Sequence, residues 1–227
     1  MEGEEASFAA ATRLYPESRA EQALAGLTLA FGTIQLSIQG LGWSNHLDRA
    51  SLALVVALGS VALLVLGLRG PDPARRLRAL GVALREHVVL PVSSIRMALE
   101  ARSPIVAVGL AVVFAVVAWT AWLAYLAPSG SWDGVWYHEP MAYFAIQNHG
   151  FDIVELPLHL AKVNTSPRTS TNLMLWATIF GDRTLVDVVP SAVSPIAMLG
   201  TYCITAAPVR SRVVALGASV GGMPVPA

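Results

Sequence analysis

Residues 104–126 read PIVAVGLAVVFAVVAWTAWLAYL, inside an uncharged run that extends from Ser103 to Trp132. A helix needs about 20 apolar residues to cross about 30 Å of hydrocarbon, and this stretch meets that length. Ser103-Pro104 supplies an N-cap followed by proline at the first helical position. Working outward, the same pattern recurs in Gln22 to Trp43, in Ala50 to Leu68 and in Val188 to Val209. A backbone in lipid must satisfy its own hydrogen bonds, so these runs are expected to be helices. The expected fold is all-α: a polytopic transmembrane helical protein with a partly helical extracytoplasmic loop.

Composition agrees. Of 227 residues, 55% are apolar and 13% charged, where soluble domains carry about 25% charged residues. Fifteen basic and fifteen acidic residues cancel, which argues against nucleic-acid binding, since that needs a basic excess. The apolar content excludes intrinsic disorder. A single cysteine, Cys203, excludes an internal disulfide framework and a cysteine-based zinc site.

The chain divides on this reading into an N-terminus, 1–21, two membrane helices within 22–68, a basic loop, 69–103, and a module from 104 to 227. That module comprises a membrane helix at 104–127, a long loop at 128–185, a membrane helix at 186–208 and a helix at 213–227 that is too short to span. The chain ends within this last apolar run, as expected of the N-terminal part of a longer protein. Pro190 and Pro195 should kink the helix at 186–208 or break it near its outer end. Gln35 and Gln39, one turn apart on the first span, suit interhelical packing better than a pore or ligand role.

Short loops rich in Lys and Arg stay in the cytoplasm. Between 69 and 102 there are seven arginines: Arg69, Arg75, Arg76, Arg78, Arg85, Arg96 and Arg102. The long loop has only Lys162, Arg168 and Arg183 against five acids. The N-terminus and the basic loop are therefore expected inside and the long loop outside. Glu2, Glu4 and Glu5 stand where a cleavable signal would be basic. Leu77, Leu80, Leu84 and Val88 form an apolar stripe with most nearby arginines off it, the pattern of an amphipathic helix on the inner membrane surface.

The long loop carries most of the reactive side chains. Pro140 suits a helix start and Gly150 a stop, so 140–149 reads as a short helix. A second apolar piece, Asn172 to Phe180, is too short to span and is expected at or just below the membrane surface. Trp132, Trp136 and Tyr137 have the ordinary reading of interfacial anchors, with Asp133 a solvated acid. The competing reading gathers Asp133, His138 and Glu139 at the mouth of a membrane cavity, where a carboxylate can act as general base on a lipid-linked substrate. The spacing of His138, His149 and His159 matches no standard zinc motif.

Two stretches resemble the GT-C superfamily of integral-membrane glycosyltransferases, particularly bacterial members of the aminoarabinose transferase and protein O-mannosyltransferase type. One is Trp132-Asp133-x-x-x-Tyr137-His138 with the downstream Ile146-Gln147-Asn148. The other runs from Asn172-Leu173-Met174-Leu175-Trp176 to Gly181-Asp182-Arg183. Met223-Pro224 also falls where relatives place a proline. The likeness covers roughly residues 104 to 227 and leaves the first hundred unmatched.

The resemblance implies a multi-pass protein of the bacterial inner membrane. A polyprenyl-phosphate-linked sugar is the donor, and a lipid, glycan or protein hydroxyl or amine is the acceptor. Asp133 is implied as catalytic base. Lys162 and Arg168 are the implied partners of the departing phosphate, and Tyr137, His138 and Glu139 the remaining substrate-binding residues. The implied partners include membrane lipids and no nucleic acid. No cofactor is required by this reading, and a divalent cation, Mg2+ or Mn2+, is compatible with it. Gly134 stands where many relatives carry a second acid, and Asn164-Thr165-Ser166-Pro167-Arg168 replaces their proline-rich element. The rival reading is a non-enzymatic polytopic protein, a transporter or scaffold piece whose loop anchors and packs.

Overall fold

The computed structural model describes residues 19–69, 74, 78, 90–127, 134–153, 155, 157, 164, 168–181, 185–186, 188–209 and 211–221. Every regular element among them is helical. In chain order they are α1 (Arg19–Trp43), α2 (Arg49–Leu68), α3 (Leu90–Glu100), α4 (Pro104–Leu126), a π-helical turn (Gly134–His138), α5 (Glu139–Gln147), α6 (Thr169–Phe180), α7 (Val188–Ala206) and α8 (Arg212–Gly221). The all-α polytopic membrane architecture follows from their length and composition.

Three helices among the described residues are long and apolar enough to cross a membrane: Ala20–Trp43, Arg49–Leu68 and Pro104–Leu126. Their large side chains face outward as lipid requires; Leu54, Val61, Ile105 and Trp119 are all exposed. The fourth expected span is helical as α7, within which Ile196–Ala206 is a described apolar stretch. The helix runs unbroken from Val188 to Ala206. Pro190 lies in the first turn, where a missing N–H costs nothing.

The chain forms two compact units. The first comprises Met1–Ala30, Ser60–Trp119 and Ala192–Ala227. Its core joins Ala98 of α3, Ala107 and Leu110 of α4, Met198 of α7 and Leu216 of α8. Small residues let α4 and α8 approach closely. A Cβ added at Gly109 would lie 3.1 Å from Val220 Cγ1, and one at Gly217 would lie 3.5 Å from Val106 Cγ2. That is the usual device of helix pairing in lipid, where apolarity alone provides no driving force. The helix α3 was not expected; the anticipated amphipathic stripe, Leu77, Leu80, Leu84 and Val88, lies outside the described residues.

The second unit comprises Phe31–Gly59 and Thr120–Ser191. Its core joins Ile38 of α1, Leu47 of the α1–α2 turn and Leu52 of α2 to Ala142 and Ala145 of α5 and Leu175 of α6. All of these are nearly or wholly inaccessible. The long loop therefore packs on a membrane hairpin.

Three helices end on the same cap. Asn45, Arg102 and His149 have φ of 57°, 54° and 53°, and the next amide reaches back to the carbonyl five residues earlier. These bonds are His46 N to Leu41 O, Ser103 N to Ala98 O and Gly150 N to Ala145 O, at 3.0, 2.9 and 3.0 Å. This is the Schellman arrangement, which satisfies carbonyls that would otherwise be orphaned. Glycine is its usual left-handed residue, and none of the three is glycine. At the start of α2, Asp48 Oδ1 accepts from the Ala50 and Ser51 amides at 2.9 and 3.0 Å, and Oδ2 from the Ser51 hydroxyl at 2.6 Å. The Ser51 hydroxyl is the main reason that this carboxyl sits below the ordinary aspartate value.

Candidate functional site

The first described element of the long loop is the π-helical turn. A π turn holds one residue more than an α turn and is often found at functional positions. Here it places Tyr137 and His138 with ring centroids 3.8 Å apart and planes tilted by 35°. His138 Nδ1 lies 2.8 Å from the Thr171 hydroxyl of α6. A hydroxyl both donates and accepts, so this contact serves either tautomer of the imidazole.

α5 follows directly, with Pro140 in its first turn. The expected helix 140–149 is thus observed as Glu139–Gln147, with Asn148 as C-cap and His149 in the left-handed position. Glu139, which one of the two readings of the loop places at the mouth of a membrane cavity, is buried, 6% exposed, in the first turn of the helix, where the backbone dipole favours a negative charge.

The described loop segment after α5 clamps onto the hairpin. Leu47 N donates to His149 O at 2.7 Å, and Phe151 N donates to Gly42 O at 2.9 Å. The approach is close enough that a Cβ on Gly42 would lie 2.5 Å from the Phe151 ring, and one on Gly150 would collide with Asn45 Oδ1. The Phe151 ring also serves Arg168, whose guanidinium carbon is 4.6 Å from the ring centroid. Arg168 is the N-cap residue of α6. Partial burial lowers the pKa of its guanidinium, and the ring face is an attractive neighbour for a partly desolvated cation. A second cation rests on the far end of the same helix, Arg49 over Phe180 at 5.8 Å.

α6 begins three residues before the expected Asn172, and its first half is interior: Thr171, Asn172, Leu173, Met174 and Leu175 are all buried. Its polar members are tied to the first span. Asn172, fully inaccessible, donates from Nδ2 to Gln35 Oε1 at 2.9 Å. Gln35 Nε2 donates to Thr169 O at 2.6 Å. Gln35 thus has the interhelical packing role expected of it. Gln39, one turn further on, is half-buried. Asn172 Oδ1 is buried with no hydrogen-bond partner among the described residues.

Of the expected site residues, the structure brings Tyr137 and His138 to the start of α6. Arg168 caps that same helix, and Glu139, next to His138 in sequence, is buried. Trp132, Asp133 and Lys162 lie outside the described residues, as do Asp182, Arg183 and Met223-Pro224. Thr171, Gln35 and Asn172 were not expected as site residues. Gln35 was legible only as a polar residue on an apolar helix. Among the described residues no group of three or more His, Cys, Asp or Glu side chains is placed to hold a metal ion. No protein-family model, curated protein or solved structure matches the chain.

Proposed function

We propose that this chain carries the outer loop of a membrane glycosyltransferase, with the basic 69–103 segment cytoplasmic and the long loop on the extracytoplasmic face. An acceptor hydroxyl or amine attacks the anomeric carbon of a polyprenyl-phosphate-linked sugar. The bond from that carbon to the phosphate oxygen breaks, and polyprenyl phosphate leaves with the electron pair. Asp133 takes the acceptor's proton as general base. Arg168 and Lys162 meet the charge that grows on the phosphate, a task for preorganised cations. Tyr137 and His138 follow Asp133 in the same loop, and Glu139 supports them from within the protein.

One observation supports this reading above the others. His138, in the first stretch that carries the family resemblance, hydrogen-bonds across 33 positions to Thr171, the residue just before the second stretch. The same short helix that receives His138 is capped by Arg168. The turn that follows Asp133 in sequence and the cation proposed for the phosphate thus share one helix.

The test uses membranes from cells producing the whole protein, supplied with radiolabelled polyprenyl-phosphate sugars. The wild type should consume one of them and release polyprenyl phosphate, and Asp133→Asn at equal protein level should not. Wild-type turnover in Asp133→Asn removes Asp133 as base. No consumption of any donor by the wild type favours the non-enzymatic reading, in which the loop only anchors and packs.

A further inference from the structure

We infer that Gln35, on the first membrane helix, is a positioning residue for the loop site; the inference rests on the glycosyl-transfer reading above. Gln35 belongs to the hundred residues that the family resemblance does not reach, so nothing in that likeness assigns it a role.

A primary amide on a membrane helix is costly unless both its halves are used. In Gln35 they are, and both bonds go to α6. Thr169 O can only accept, so the Gln35 amide must present Nε2 to it. Its Oε1 then faces Asn172, which must answer with Nδ2. The geometry admits one orientation of each amide. Gln35 is the hydrogen-bond partner that orients the Asn172 side chain, whose other amide atom, Oδ1, has none among the described residues.

The bonded groups lie at the end of α6 that matters. Thr169 follows Arg168, the helix cap, and Thr171, which holds His138, stands between the two residues that Gln35 grips. Gln35 therefore fixes the axial position and rotation of the first turn of α6, and with them the guanidinium and the imidazole. It touches neither substrate nor reacting atoms. Its partners are a main-chain carbonyl and a neutral amide, so this lock does not itself titrate.

The experiment uses the whole protein in membranes and reads donor KM, which a smaller folded fraction leaves unchanged. Gln35→Leu should raise the KM for the polyprenyl-phosphate sugar about three- to tenfold, the range a hydrogen bond between membrane helices is worth. The swapped pair, Gln35→Asn with Asn172→Gln, keeps both amides and their combined length, and should restore KM toward the wild-type value. An unchanged KM in Gln35→Leu, in a wild type that does transfer sugar, overturns the positioning role. If the wild type transfers nothing, the enzymatic reading falls and the positioning role with it. The pairing is then judged by heat stability in detergent: Gln35→Leu, Asn172→Leu and their combination should lose less together than the two losses summed. Fully additive losses overturn the pairing.

Discussion

Leu47 sits in the five-residue turn between α1 and α2, Ser44 to Asp48, yet is wholly inaccessible. It fills the core shared by the hairpin, α5 and α6. Leu47→Ala removes three carbons from that core, at about 0.8 kcal/mol each for the lost transfer energy. The cavity left behind brings the expected loss to about 3 kcal/mol. For a chain of this size that is on the order of 10 °C in Tm. The control is Leu54→Ala on α2, where the side chain is 60% exposed and faces hydrocarbon in a membrane or micelle. Lipid is as apolar as leucine, so that change should cost almost nothing. The assay heats detergent-solubilised protein and follows the monodisperse fraction by size-exclusion chromatography. Equal midpoints for the two variants would refute the docking of the loop on the hairpin.

Two further outcomes are expected in the same assay. His149→Gly should raise stability by about 0.5–1 kcal/mol, because the left-handed backbone that costs histidine energy is free for glycine, less glycine's greater loss of freedom on folding. A loss would show that the imidazole itself holds the clamp. At the start of α2, hydrogen bonds from Ser51 and Ala50 depress the folded-state pKa of Asp48. Its contribution is complete above the unfolded carboxylate value, roughly pH 4, and is lost as pH falls through the lower folded value. The deficit of Asp48→Ala relative to wild type should therefore be constant at neutral pH and close in acid. A deficit that persists through the acid range would refute the cap's dependence on charge.

The membrane helices were legible because length and absence of charge are one-dimensional signals. Pro104–Leu126 ends within one residue of its expected bound, and α5 starts beside the proline that announced it. Capping was half legible. Gly150 marked the stop, but the left-handed residue is His149, and Gly150 is instead where the chain passes against Asn45. The helix α3 went unread because its apolar residues are divided: Ile95, Met97 and the small Ala98 pack into the core while Val92 and Leu99 are exposed. The site was least legible. Thr171 meets His138 across 33 residues and Asn172 meets Gln35 across 137; such pairings have no period and no local motif. Gln35 announced only that it needed a partner.

The clamp between the hairpin and the 149–151 segment also bears on how the protein is made. Leu47 and His149 are separated by about a hundred residues of chain, including the membrane helices α2 and α4. The hairpin is synthesised first and waits, with Ile38, Leu47 and Leu52 uncovered, until α5 and α6 arrive to cover them. Such long-range closure is slow and leaves sticky surface exposed meanwhile. A chain deprived of its first two helices would emerge with Ala142, Ala145 and Leu175 lacking the apolar half of their core. Membrane quality control would then recognise it as unassembled, and its steady-state abundance would fall before any chemistry in the loop could be measured.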